Sequence, residues 1–246
     1  MESPSLVLLS NQEALQRAMD IVANNVANAS TSGFKREGIE FDTLLSRPAP
    51  DETLDFVVDR ATYRDVSNGP ISPTGNPLDI AIQGAGYIPV QTAQGTRYTR
   101  AGTFQLNTDG QLTTLAGDVV LGDGDQPISV PSTTTEINIS ADGFVTARVD
   151  KGASLAQLGK LSVVKFDNEQ ALQAQGRGLY ATEQQPQPAA GSGIVQGALE
   201  QSNVEPVVEI TQMIQIMRSY EQAVNLLGQE NVRLDNAIST LSKTTV

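Results

Sequence analysis

Several stretches of the sequence group side chains that could do chemistry. Gly84-Ala85-Gly86 opens like a dinucleotide-binding turn, where glycines let the backbone approach a pyrophosphate at a helix N-terminus. Pro89 and strand-type residues follow, so the helix that this chemistry needs is missing and a plain glycine turn is expected. Asp118, Asp123 and Asp125, with Gly122 and Gly124, suggest hard-cation ligands. The run occurs once and lacks the closing Glu of a calcium loop, so a polar turn is expected. Scattered Asp and Glu leave a two-carboxylate glycosidase to be weighed, but no Trp offers a platform for a sugar ring. Arg97-Tyr98-Thr99-Arg100 reads as the solvated face of a strand. Asn28-Ala29-Ser30 and Asn138-Ile139-Ser140 match glycosylation triplets, a pattern common by chance, and the first falls on a helix end.

Composition narrows the chemistry further. The chain has 246 residues, with 16 Lys and Arg against 28 Asp and Glu, a formal charge of −12. It contains no Cys and no His. Disulfides, thiolate metal sites, Cys nucleophiles and every His-based triad or metal ligand are thereby excluded. The acidic balance argues against nucleic acid or an anionic membrane as a partner, since that affinity needs clustered cations. No cofactor, metal or small-molecule substrate is expected. Hydrophobic residues make up 39% of the chain, enough for a folded core, while aromatics are only 4%, so contacts must be built mainly from aliphatic side chains. No apolar run is long enough for a membrane-spanning helix. A charged signal-peptide start is also absent, which points to a chain without a cleaved leader.

Two helical segments should flank whatever lies between them. Residues 1–34 form the first. Leu8, Leu15 and Val22 recur every seven residues, and Gln12, Met19 and Val26 share their face. Ser3-Pro4 suits a helix start, and Gly33 suits the left-handed stop beyond the end. Asn24-Asn25-Val26-Ala27-Asn28 is unusual, because Asn side chains compete for backbone groups and favour caps over helix interiors. Residues 203–246 form the second. Ile210, Met213, Met217, Tyr220, Val224, Leu227, Asn231, Leu234, Ile238 and Leu241 alternate spacings of three and four, a coiled-coil-like seam. Ser202 to Glu205 fits a capping box ahead of Pro206. Such a helix is about 60 Å long, whereas a compact body of this chain would be about 46 Å across. The seam therefore needs partners beyond the chain's own globular part.

Between the helices the period drops to two. Residues 35–77, with Pro48, Pro50, Pro70, Pro73 and Pro77, read as an extended arm. Residues 78–183 read as a central antiparallel β domain, a twisted sandwich or open barrel of short strands broken at Gln94-Gly95, Asp109-Gly110, Gly117 and Ala141-Asp142-Gly143. Residues 184–202 read as a linker. The fold class is α+β. The segment 48–199 carries 9 cations and 16 anions, most of the excess charge.

Three ordered stretches resemble the bacterial flagellar basal-body rod and hook family. They are Val22 to Lys35 with its three Asn and Gly-Phe-Lys ending, then Thr74 to Tyr87 with Tyr98 to Phe104, and then Asn203-Val204-Glu205 leading to Arg218-Ser219-Tyr220-Glu221. Asn68-Gly69-Pro70 and the run from Gln229 to Ile238 look most like the proximal-rod type, with the distal-rod type as the alternative. The resemblance implies a non-enzymatic subunit of a periplasm-spanning rod. It would leave the cytoplasm unfolded through the flagellar type III export apparatus. Its partners would be copies of itself and other rod proteins, with the helices lining an inner tube and the β domain outside. The expected subunit contacts are Leu8, Leu15, Met19, Val22 and Val26 with the ten seam residues of the second helix. The rival classes are a carboxylate enzyme, marked by two close desolvated carboxylates, and a surface binder, marked by an exposed aromatic patch.

Overall fold

The computed structural model describes residues 3–49, 52–149 and 155–244. The chain divides into two compact units. Unit 1 takes residues up to Ala27, Glu37–Asp65 and the chain from Glu205 on, and unit 2 takes Asn28–Arg36 with Val66–Val204. Two helices flank a central antiparallel β domain, the α+β class expected.

Unit 1 is built from helix α1 (Ser3–Ala27), strands β1 (Glu37–Ala49) and β2 (Glu52–Arg64), and helix α2 (Pro206–Thr244). Within residues 35–77, read from the sequence as an extended arm, β1 and β2 pair with each other. β1 and β2 form an antiparallel hairpin from Glu37↔Arg64 to Ala49↔Glu52, with a bulge between Glu40 and Phe41. Pro48 sits near the hairpin tip, where a strand tolerates a missing donor. α2 starts at Pro206, where its missing N–H costs nothing. The expected capping box does not form: the Ser202 hydroxyl accepts from the Val204 N–H instead. α1 ends at Ala27, and the chain leaves it through a turn closed by Thr31 N–H to the Asn28 carbonyl at 3.0 Å.

Unit 2 is a set of short antiparallel strands. β3 (Ile71–Pro73) and β4 (Ile80–Gln83) come first, then the meander β5 (Ile88–Thr92), β6 (Gly95–Thr99), β7 (Phe104–Leu106), β8 (Leu112–Thr114) and β9 (Val119–Val120). β10 (Thr134–Ile139), β11 (Phe144–Val149) and β12 (Leu155–Lys160) form a three-stranded sheet. β13 (Val164–Lys165), β14 (Gln173–Ala174), β15 (Leu179–Ala181) and β16 (Gln187–Pro188) follow. The largest sheet has the order β14-β15-β6-β5-β9-β8-β7.

The segment 184–202, expected as a linker, ends in two strands that complete this unit. β17 (Gly193–Gln196) pairs with β4, and β18 (Ala198–Glu200) pairs with β3. Its Gln and Pro content hid the alternation of Ile194, Gln196, Ala198 and Glu200.

Ile80, Ile82, Ile88, Val90, Val120, Ile139, Val145 and Leu161 are among the aliphatic residues of the main core. A second cluster gathers Tyr87, Tyr98, Phe166, Leu172 and Tyr180. Its rings meet edge to face, Tyr98 with Phe166 at 4.7 Å and Tyr87 with Tyr180 at 5.6 Å.

Candidate assembly interface

In unit 1 the two helices pair antiparallel. The Gln12 amide donates to the Tyr220 hydroxyl at 2.9 Å, and the Asn25 amide donates to the Glu209 carboxylate at 3.0 Å. A step of 13 residues along α1 thus matches a step of 11 back along α2. Extending that register sets the start of α1 beside about residue 228, so roughly the last 15 residues of α2 run on past it.

The α2 surface splits into two stripes. Glu209 and Ala223 are buried and Met213, Ile216, Tyr220, Leu227 and Leu234 are half-buried, a three-and-four spacing that contains both bonds to α1. One residue further on, about 100° around the axis, lie Val207, Ile210, Ile214, Met217 and Val224, all exposed large apolar side chains. The seam expected from the sequence mixes the two stripes. Met213, Tyr220, Leu227 and Leu234 belong to the first, and Ile210, Met217 and Val224 to the second, with Asn231 exposed beyond them. Ile238 and Leu241 lie outside the residues whose side chains are described. On α1, Val22 is buried and Leu8, Leu15, Met19 and Val26 are half-buried.

The Asn run resolves into one buried and two less buried positions. Asn25 is fully buried. Its Nδ2 donates to the Glu37 carbonyl at 2.8 Å, and its Oδ1 accepts from the Glu37 N–H at 2.9 Å. The carboxamide thus satisfies both backbone groups at the start of β1. A side chain poor at building a helix is used here as a substitute for a strand partner.

Unit 2 holds a buried charge cluster that sequence reasoning missed. The Glu200 carboxylate, 2% exposed, accepts from Lys35 Nζ at 2.7 Å, Arg100 Nε at 2.6 Å and the Gly69 N–H at 3.0 Å. The rest of the Arg100 guanidinium donates to the Gly86 carbonyl at 2.7 Å, the Gly84 carbonyl at 2.6 Å and Asn68 Oδ1 at 2.8 Å. The expected glycine turn at 84–86 is therefore the acceptor for a buried arginine. Of the stretch read as a solvated strand face, Arg100 and Tyr98 are buried and Arg97 is not. No local signal pairs Arg100 with a carboxylate 100 residues away.

Lys35 also donates to the Ser67 carbonyl at 2.7 Å. Burial pushes its ammonium pKa down, opposed by the hydrogen bond and charge of Glu200, while Arg100 adds to the depression. Gly33 has φ 71, and a Cβ there would sit 2.6 Å from the Arg100 carbonyl, so only glycine fits. Its positive φ is as expected, but it serves this close approach beyond the end of α1, not the helix stop itself. Of the three Asp weighed as cation ligands, Asp118 accepts from the Thr114 hydroxyl at 3.3 Å, and Asp123 and Asp125 lie in a tight turn in which Gly124 and Asp125 have positive φ.

Three family models match stretches of the chain. One described as flagella basal body rod protein covers residues 6–35, the flagellar hook protein FlgE/F/G D1 domain covers 81–147, and flagellar basal body rod FlgEFG protein C-terminal covers 195–240. Lys35, Arg100 and Glu200 fall one in each. The chain is similar to a flagellar basal-body rod protein FlgF of Caulobacter vibrioides, 38% identical over 251 residues and 99% of both chains. It is 34% identical over 244 residues to that of Mesorhizobium japonicum, covering 98% of both. The flagellar basal-body rod protein FlgG of Agrobacterium fabrum is 34% identical over 247 residues, covering 87% of this chain and 90% of the relative.

Proposed function

The chain belongs to the flagellar basal-body rod protein family, and on that premise we propose that it is a structural subunit of the proximal rod, whose terminal helices pack into the wall of a helical tube. There it transmits torque and lines an export channel. Its partners are copies of itself and other rod proteins, and the flagellar type III export apparatus delivers it unfolded from the cytoplasm. It acts on no small molecule and binds no nucleic acid. The proximal type is favoured over the distal because the FlgF relatives align along both chains almost end to end, while the FlgG relative leaves more of each unmatched.

The observation that carries this reading is the second α2 stripe. Val207, Ile210, Ile214, Met217 and Val224 line one helix face and stand in water in the single chain. Burying half-exposed aliphatic side chains stabilises an assembly by about 1 kcal/mol each. A stripe that meets different surfaces on successive subunits gives heterologous, non-closing contacts, the condition for a helical tube. The absence of Cys supports passage through the export channel, because no thiol can be trapped on the way.

The test is Met217→Asp in a motile strain that lacks the chromosomal copy. The purified variant is expected to keep the wild-type thermal midpoint while rods fail to complete and swimming stops. Normal swimming of the strain that carries Met217→Asp would overturn the reading.

A further inference from the structure

The segment that carries Gly33 and Lys35 is attached to unit 2 in an unusual way. Its bonds reach two short stretches: Gly33 N–H to the Glu200 carbonyl at 2.9 Å, Asn203 N–H to the Phe34 carbonyl at 3.4 Å, Arg36 N–H to Asn203 Oδ1 at 2.7 Å, and Lys35 Nζ to Glu200 and the Ser67 carbonyl. These stretches lie next to Val66, where the chain re-enters unit 2 after β2, and Val204, where it finally leaves it.

The charges in the cluster are unequal. One carboxylate, Glu200, faces two cations. If the segment left, Glu200 would keep Arg100 Nε on one oxygen and the Gly69 N–H on the other. Arg100 would keep its glycine carbonyls and Asn68. A neutral, hydrogen-bonded pair would remain, and Lys35 would be hydrated. Removing Glu200 instead would leave two buried cations facing each other, the arrangement that costs most. The cluster is thus divided into a permanent pair and one detachable partner.

We propose that residues 33–36 are a latch on unit 2, fastened by Lys35, that opens and closes without unfolding the β core beneath it. Closing it ties the two ends of the Val66–Val204 segment together. Opening it releases the chain between α1 and β1 while the Arg100–Glu200 pair holds.

Amide hydrogen exchange on the full chain tests this. The N–H groups of Gly33, Arg36 and Asn203 report the latch, and those of Ile80 and Leu112, bonded to the Gly102 and Ile128 carbonyls, report the core. In the wild type the latch amides are expected to exchange at least about tenfold faster, relative to their intrinsic rates, than the core amides. Lys35→Met should raise latch exchange another tenfold or so and leave Ile80 and Leu112 unchanged, and Lys35→Gln should fall between. Glu200→Gln should lower protection throughout unit 2. Equal protection of latch and core in the wild type would overturn the proposal, as would a Lys35→Met variant that loosens the core equally or leaves the latch amides unmoved.

Discussion

Asn25 and Glu209 lie 184 positions apart and touch through one hydrogen bond of 3.0 Å, with both side chains almost wholly shielded from water. The same Asn25 amide also holds the backbone of Glu37. One carboxamide therefore joins α1, β1 and α2.

That junction depends on a neutral donor. Asn25→Asp removes the donor and sets a second carboxylate against Glu209. We expect unit 1 to lose about 3 kcal/mol at pH 7, the scale for a buried uncompensated charge. Urea unfolding followed by helix circular dichroism at pH 7 checks it; a variant within about 0.5 kcal/mol of wild type would contradict the charge argument.

Arg100 is held by its fork. Lys at that position keeps the charge but cannot reach Glu200 and the Gly84 and Gly86 carbonyls together. Each stranded buried acceptor costs about 1–3 kcal/mol. Arg100→Lys should therefore destabilise unit 2 by about 3 kcal/mol or more, with the first turns of α1 unaffected. A variant within about 0.5 kcal/mol of wild type would show that the carbonyl contacts contribute little.

Tyr87 gives a pH signature. Burial raises its phenol pKa, helped by the charge of Glu169 and by the 3.0 Å hydrogen bond it donates there. The unfolded phenol loses its proton near pH ~10 while the folded one keeps it, so the contribution of Tyr87 is complete below that pH and is lost as pH rises. The slope is about 1.4 kcal/mol per pH unit. Lys35, with its pKa lowered on folding, acts in the opposite direction up to its ordinary 10.5. Tyr87→Phe should start less stable at pH ~8 and decline less steeply from pH ~10 to ~11, as read from thermal midpoints.

Two α2 positions separate folding from assembly. Leu227 is half-buried on the stripe that meets α1, and Val224 is exposed on the other. Leu227→Asp should reduce monomer helicity and motility alike. Val224→Asp should stop swimming while monomer helicity stays within a few per cent of wild type.

The phase of the α2 seam was only half legible, for a geometric reason. Positions 210, 217 and 224 and positions 213, 220 and 227 satisfy one heptad rule together. The contact surface also uses Glu209 and Ala223, a charge and a small residue that apolar counting skips. The meander was clear because glycine turns and two-residue alternation are local, and β5 to β11 fall close to where the pattern placed them. The Glu200 cluster was not, since a charged residue defaults to the surface and its partners come from distant parts of the chain. Asn25 was conspicuous as a poor helix former, but its partners were invisible without tertiary structure.

The Glu200 cluster also sets an order of events in time. Lys35 and Glu200 are separated by 165 positions and Arg100 and Glu200 by 100. Contacts that close such long loops form late, after local turns have folded. A chain that emerges N-terminus first holds Lys35 without its carboxylate until most of its length is through. The β5 to β9 meander can form during that interval. The final β18 strand then brings Glu200 to a site already furnished with arginine and glycine carbonyls, so completion of the unit waits on the last part of the β domain to arrive.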